Sequence, residues 1–106
     1  MITFQEFKRV ELRVAKIKSV TDHPNAAKLL VIQADLGGEE RQLVAGLKGY
    51  YRPEELVGKT IVVVTNLEAA DLRGVKSEGM LLAAQDGDIV SLLTVDKPVA
   101  PGSKVL

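Results

Sequence analysis

The side chains best able to bind a ligand lie close together in one short segment that glycine punctuates. This segment contains Arg73, Lys76 and Ser77, with Gly74 and Gly79 among them. Cationic and hydroxyl side chains are common partners of phosphate oxygens. The segment is therefore a candidate phosphate-binding loop. On these residues alone, a solvated surface loop is the simpler interpretation.

Two further polar or polarizable side chains flank this segment, and each has two interpretations. Asn66 ends an apolar run, where its amide could reach a ligand or simply occupy a turn, since Asn tolerates left-handed backbone. Met80 opens the next apolar run. Its flexible thioether could fill a gap in the core or pack against a ligand on the surface.

The residue types needed for catalysis are nearly absent. The chain has no cysteine, which excludes disulfides, thiolate metal sites and cysteine nucleophiles. His23 is the only histidine, so a metal site or a catalytic triad has almost nothing to build on. We expect His23 to shape a turn with Pro24. The acidic residues show no catalytic partner pattern, and we predict no catalytic residue, no metal and no cofactor.

Charge is balanced overall but uneven along the chain. The formal net charge is zero; residues 1–53 carry nine Lys/Arg against six Asp/Glu, and residues 54–106 carry five against eight. A half with charge +3 joined to a half with charge −3 can present one basic face. Ordinary solvated surface charge is the alternative.

The location follows from what the sequence lacks. No run of apolar residues approaches the roughly 20 needed to span a bilayer, and residues 1–9 do not resemble a signal peptide. The absence of cysteine fits a reducing compartment. We expect a cytoplasmic protein with no membrane partner.

The length and the apolar pattern predict one small all-β domain over residues 1–106. Short runs rich in Val, Leu and Ile are cut by Gly, Pro, Asn and Asp, which is typical of strands. In the first strand, Val10, Leu12 and Val14 share one face. The alternation then slips before Ile17, which predicts a β-bulge or a sharp bend.

The remaining elements complete the order of a small barrel. We predict strands at 29–36, 41–47, 60–67, 79–84 and 89–93, a helical turn at 3–7, and a short helix beginning at Pro53. Three strands, a short helix and two further strands, followed by a sixth short strand, give the order of a five-stranded oligonucleotide-binding (OB) barrel with its helix between strands 3 and 4. By itself this order also suits other small barrels.

Several segments in order carry a resemblance to a known family. They read VELRVAKI at 10–17, HPNA at 23–26, KLL at 28–30, RQLVAGL at 41–47, YY at 50–51, PEELVGK at 53–59, NL at 66–67, LRG at 72–74 and SEGM at 77–80. From Phe7 to the C-terminus the chain resembles the tRNA-binding domain found at the C-terminus of many methionyl-tRNA synthetases and as a standalone dimeric bacterial protein.

The resemblance implies an OB-fold barrel whose N- and C-terminal extensions pair two subunits. It implies recognition of folded tRNA by shape, with no chemistry of its own. It also implies a binding side lined by Arg13, Lys16 and Lys28 in addition to Asn66, Arg73, Lys76, Ser77 and Met80. Aromatic residues are only 4% of the chain, which disfavours a base-stacking platform and favours shape readout. Tyr50 and Tyr51 could stack bases, but capping the end of the barrel is the simpler role.

The chain departs from the family at one informative place. Relatives commonly carry a basic stretch between the positions of Leu67 and Leu72, and this chain has Glu68-Ala69-Ala70-Asp71. Phosphate contacts supply much of the affinity for nucleic acid, so this change predicts weaker binding. The acidic residue that the family has before Lys28 is Ala27 here.

The function we predict is non-catalytic binding of tRNA by a homodimer. The chain would act as a standalone protein or as an appendage or partner of methionyl-tRNA synthetase. The apolar residues at the two ends predict the dimer: Ile2, Phe4, Phe7, Val99, Val105 and Leu106. The alternative is a protein-interaction or export-chaperone-like module, since some relatives of this fold are assigned such roles.

Overall fold

The computed structural model describes residues 1–106, which form two short helices and nine strands. The elements are α1 (Phe4–Lys8), β1 (Leu12–Asp22), β2 (Leu30–Asp35), β3 (Glu40–Ala45), α2 (Pro53–Leu56), β4 (Thr60–Val64), β5 (Ala70–Leu72), β6 (Val75–Ser77), β7 (Met80–Leu81), β8 (Ala83–Asp86) and β9 (Ile89–Leu92).

The main sheet is an antiparallel barrel with strand order β3-β2-β1-β4-β7. The long strand β1 pairs with β4 over residues 12–16 and with β2 over residues 16–22. The register shifts between Ile17 and Ser19, so the predicted irregularity is present, immediately after Ile17. The chain is therefore an all-β, nearly closed five-stranded barrel of the OB type, as the sequence predicted.

The core forms because alternate residues of each strand face the barrel interior. From Leu30 to Leu36, every second residue is almost fully buried. The core cluster comprises Ala15, Ile17, Leu30, Ile32, Ala34, Leu36, Leu43, Leu47, Leu56, Ile61, Val63 and Leu81. Leu56 lies in α2, so the short helix covers one end of the barrel.

The first part of β1 is paired along both of its edges. Val14 is buried although it lies outside the core cluster. The C-terminal segment runs beside it: the Val14 N–H donates to the Ser103 carbonyl at 2.8 Å, and the Gly102 N–H donates to the Val14 carbonyl at 2.7 Å. The C-terminal segment therefore pairs with the edge of β1 that β4 leaves free, while Ala15 and Ile17 face the core.

Both predicted helical segments are present. Thr3 caps α1 in a capping box with Glu6: each side chain accepts a hydrogen bond from the other's backbone N–H. Pro53 opens α2 at its first turn. Neither helix has the length and apolar character needed to cross a membrane.

Two predicted strands have different bounds in the structure. The strand predicted at 60–67 ends at Val64; the Thr65 N–H still bonds to the Glu11 carbonyl, and beyond it the side chain of Asn66 contacts the backbone of Arg9 and Glu11. The strand predicted at 79–84 divides into β7, which pairs with β4, and β8, which pairs with β9.

The segment predicted as a loop before the fifth strand is instead a hairpin. β5 and β6 pair from Ala70–Ser77 to Leu72–Val75, with Arg73 and Gly74 at the turn. Both turn residues have positive φ, 57° and 92°, as a two-residue type I′ turn requires. Each strand has only three residues, too few to show alternation in the sequence.

Candidate nucleic-acid interface

The β5–β6 hairpin is held at its base by Arg41. This guanidinium donates to the carbonyl of Thr65, where the chain leaves β4, and to the carbonyl of Glu78 at 3.4 Å, where the chain returns. Arg41 also lies 3.6 Å from a Glu39 carboxylate oxygen. One half-buried cation thus joins both ends of the segment 65–78. Nothing in the sequence around Arg41 indicates this role.

The side of the hairpin packs along the edge of β3. The Gln42 amide donates to the Lys76 carbonyl at 2.7 Å, and the Glu78 N–H donates to the Gln42 carbonyl at 2.7 Å. The Val44 N–H donates to the Ser77 hydroxyl at 3.0 Å. These three bonds hold β6 and the residue that follows it beside β3, although β5 and β6 form a separate two-stranded sheet.

The tip of the hairpin contacts the loop between β1 and β2. Nε2 of His23 lies 2.8 Å from the Leu72 carbonyl oxygen, and the Asn25 amide donates to the Arg73 carbonyl at 3.3 Å. The same loop carries Lys28. These contacts therefore hold the β1–β2 loop, which carries Lys28, and the hairpin, which carries Arg73 and Lys76, on the same side of the barrel.

The turn itself places Arg73 in an unusual backbone conformation. A positive φ is uncommon for a residue with a side chain, and it is disfavoured by roughly 1–2 kcal/mol. The Asp71 carboxylate accepts a hydrogen bond from the Gly74 N–H at 2.8 Å and so stabilises the turn. Asp71, one of the two acidic residues that replace the basic stretch of the family, thus has a structural role in this turn.

Four of the predicted cations are exposed and unpaired. Lys16, Lys28, Arg73 and Lys76 are solvent-exposed and take part in none of the ion pairs of the structure. Lys16 lies on the outer face of β1, Lys28 on the β1–β2 loop, and the other two on the hairpin. Unpaired cations are free to exchange their counterions for phosphates.

Arg13 differs from these four cations. Its Nε donates to the Gly102 carbonyl at 3.2 Å, and its guanidinium lies 3.6 Å from Glu39. Lys18, farther along β1, is also paired: it is hydrogen-bonded to Glu40, and that bond raises the pKa of Lys18 above its usual value. Arg13 thus binds the C-terminal tail in this structure.

Ser77 and Asn66 make contacts within the fold. Ser77 is 5% exposed, and its hydroxyl accepts from Val44 and donates to the Gly79 carbonyl at 3.1 Å. The Asn66 side chain accepts from the Glu11 N–H at 2.7 Å and donates to the Arg9 carbonyl at 2.5 Å. Asn66 does not have the left-handed backbone that the turn interpretation invoked, and its amide instead links to the backbone of Arg9 and Glu11. The hydroxyl of Ser77 is not presented to solvent.

Met80 lies on the surface rather than in the core. It is 50% exposed and borders a hollow of about 280 Å³ beside the hairpin. Leu67 and Leu72 form the apolar walls with it, and Glu68 stands at the same hollow. The two leucines belong to the family segments at 66–67 and 72–74, but the sequence assigned them no role, because isolated apolar residues in a loop carry no periodic signal.

Tyr51 and Tyr50 have different environments in the structure. The Tyr51 hydroxyl accepts a hydrogen bond from the Leu92 N–H at 3.2 Å, and the ring packs against the core. Tyr51 therefore caps the end of the barrel, as the simpler interpretation predicted. Tyr50 is exposed.

Comparison with known proteins gives the family. The family described as “Putative tRNA binding domain” matches residues 12–104. The chain belongs to this family. It is also 59% identical over 104 residues to a methionine–tRNA ligase of Pyrococcus furiosus and 56% identical over 104 residues to one of Thermotoga maritima. Those matches cover 98% of this chain but only 14% and 16% of the ligases, so the chain corresponds to an accessory part of them.

Solved structures of similar length share the whole fold. The MetRS related protein from Pyrococcus horikoshii has a TM-score of 0.92 and 34% identity, with 100% of this chain and 98% of that chain covered. The CsaA chaperone protein from Picrophilus torridus has a TM-score of 0.93 and 32% identity, with both chains fully covered. The tRNA-binding family and the OB-type barrel predicted from the sequence are confirmed.

The contacts of Ser77 predict a loss of stability when its hydroxyl is removed. Ser77→Ala leaves the N–H of Val44 without its partner, which should lower the free energy of unfolding by about 1–3 kcal/mol. Ser19→Ala, on the exposed face of β1, is the matched control and should change it by less than about 0.5 kcal/mol. Urea unfolding of both variants measures this. Equal stabilities would show that the Ser77 hydroxyl is dispensable inside the fold.

Proposed function

We propose that this chain binds folded tRNA without catalysing a reaction. Membership of the tRNA-binding family is the observation that carries the proposal. The unpaired cations of the β1–β2 loop and the hairpin support it, because they form a basic face on a chain of zero net charge. Binding of tRNA implies a cytoplasmic location.

The binding side we propose has a central and a peripheral part. Lys28, Arg73 and Lys76 would contact phosphates at its centre, and Lys16 would extend it along β1. Met80 would pack against a ribose or a base at the apolar hollow. Asn66, Ser77 and Arg13 would act by holding the backbone of this surface in place.

Recognition would depend on the shape of the folded RNA. Aromatic residues are scarce, and of the two tyrosines one caps the barrel, so successive bases have no stacking surface. Cations placed on separate elements instead fit phosphates at fixed positions on a folded backbone.

The relation to the ligases follows from the same similarity. The chain would supply tRNA affinity to a methionyl-tRNA synthetase, either as its appended domain or as a separate partner. An appended or associated binding module raises the effective concentration of tRNA near a catalytic domain.

The preference for folded RNA is the direct test of this function. We expect tighter binding of folded tRNA than of an unstructured RNA of equal length and equal charge, measured by gel shift or fluorescence anisotropy at two salt concentrations. Equal affinity for both RNAs would contradict recognition by shape. Binding of neither would contradict the function itself.

The charge of the hairpin predicts the salt dependence of binding. Arg73→Asn should decrease the slope of log K against log[salt] by about 0.7–0.9, because one phosphate contact is lost and Asn tolerates the positive φ of this turn. Glu68→Lys should increase the slope by a similar amount. Asp71 is left intact because it stabilises the turn.

Lys59→Gln is the matched control for these two variants. Lys59 is exposed and unpaired, but it precedes β4 at the end of that strand opposite to the hairpin. Its substitution should leave the slope unchanged. If all three variants had the wild-type slope, the hairpin would lie off the RNA path.

A second candidate function rests on the likeness to the CsaA chaperone protein and on the apolar hollow of Leu67, Leu72 and Met80. An unfolded client chain could place an apolar side chain in that hollow. Binding of a reduced and alkylated, permanently unfolded protein, with no binding of tRNA, would favour this candidate over the first.

We also propose a homodimer formed through the two ends of the chain. Phe4 and Phe7 of α1 border a hollow with Val10, Val105 and Leu106. Phe4 is 70% exposed, and Leu106 is fully exposed. An apolar patch of this kind usually marks an interface. A two-fold dimer would present the basic face twice to one RNA.

The apolar ends predict which substitution separates the subunits. Sedimentation equilibrium at micromolar concentration should give a dimer for the wild type and a monomer for Phe4→Glu. Ile89→Glu, at an equally exposed apolar residue of the β8–β9 hairpin, should stay dimeric. A monomeric wild type at this concentration would contradict the proposal.

A further inference from the structure

We infer that His23 is a positioning residue for RNA binding: its imidazole holds the tip of the β5–β6 hairpin against the β1–β2 loop before the ligand arrives. This inference rests on the function proposed above. His23 would not touch the RNA. It would act through the backbone of Leu72, which precedes Arg73.

The geometry gives each ring nitrogen a separate partner. Nε2 lies 2.8 Å from the Leu72 carbonyl oxygen, and Nδ1 accepts a hydrogen bond from the Asn25 N–H at 2.9 Å. A carbonyl oxygen can only accept, so Nε2 is the donor of the bond to Leu72, and Nδ1 is the acceptor of the bond from Asn25. His23 is 5% exposed, and the ring thus forms a buried link between two elements 49 residues apart.

Few other hydrogen bonds hold the tip of the hairpin against the barrel. Arg41 and Gln42 bind its base and its side, whereas the tip has only the His23 bond and the longer Asn25–Arg73 bond of 3.3 Å. All three residues of β5 are exposed, and a two-stranded hairpin of this length is marginally stable by itself. Without the bond from His23, the tip would leave the loop for part of the time.

Partial undocking lowers affinity in a characteristic way. If only a fraction of molecules has the binding-competent arrangement, the apparent Kd increases by the inverse of that fraction. The bound complex still makes the same phosphate contacts, so the salt slope does not change. A residue that contacts phosphate directly changes the slope, and the two roles are therefore separable.

Two substitutions separate the local role of His23 from its long-range role. The amide of His23→Asn reaches the position of Nδ1, so it keeps the bond to the Asn25 N–H, two residues on, as in an Asx turn. The amide of His23→Gln reaches the position of Nε2, so it can still donate to the Leu72 carbonyl. Asn25→Ala removes only the second contact at the tip.

The experiment measures tRNA affinity at three salt concentrations, well below the melting temperature of each variant. His23→Asn should bind roughly 2–10-fold more weakly than wild type with an unchanged slope, as expected for one lost hydrogen bond. His23→Gln should restore most of the affinity. Asn25→Ala should show a smaller loss, also with an unchanged slope.

NMR relaxation of the free protein gives an independent readout. The backbone order parameters of residues 71–75 should resemble the rigid barrel in wild type and His23→Gln, and fall toward about 0.6 in His23→Asn. Circular dichroism confirms that each variant is folded.

Three outcomes would overturn the inference while leaving the proposed function intact. Wild-type affinity of His23→Asn would show that docking of the tip does not matter. An equal loss in the Asn and Gln variants would show that the bond to Leu72 is not the cause. A changed slope in His23→Asn would indicate direct contact with phosphate. Absence of tRNA binding by the wild type would instead overturn the proposed function, and the positioning role with it.

Discussion

The arrangement of the binding surface depends on the shared strand β1. One strand of eleven residues pairs with β4 along its first part and with β2 along its second, and the register shift after Ile17 lets it turn between them. Because β1 bends, the sheet curls until β7 approaches β3. The loop after β1 and the hairpin after β4 consequently meet at one side of the barrel, where His23 and Leu72 make contact.

Charge is distributed so that a neutral chain can still present a basic surface. Arg13, Lys18, Arg41, Lys48 and Arg52 are paired with carboxylates, and these pairs stabilise turns, strand edges and the hairpin base. The cations of the β1–β2 loop and the hairpin are left unpaired. Net charge is therefore a poor guide to binding here, because it does not record where on the surface the unpaired cations lie.

Sequence reasoning succeeded where a signal extends over many residues and failed where it is short. The long apolar runs and the Pro53 helix start predicted the barrel order. The β5–β6 hairpin was not predicted, because three-residue strands show no period and Arg73 is an unusual residue for a turn with positive φ. The roles of Asn66 and Ser77 were ambiguous for another reason: the same amide or hydroxyl can bind a ligand or a distant backbone group, and only the fold decides which.

The two acidic residues of the segment 68–71, Glu68 before the hairpin and Asp71 within it, have different structural roles. Arg73 adopts a left-handed conformation that is disfavoured by roughly 1–2 kcal/mol, and the bond from the Gly74 N–H to Asp71 contributes about 0.5–1.5 kcal/mol in compensation. A lysine at position 71 would add a cation and remove that bond, leaving the turn less ordered. Binding by an ordered turn avoids the entropy of ordering it on the RNA. Asp71 thus weakens the attraction for phosphate but keeps the turn that carries Arg73 ordered. Glu68 makes no hydrogen bond or ion pair, so its charge opposes the approach of RNA and stabilises nothing in return.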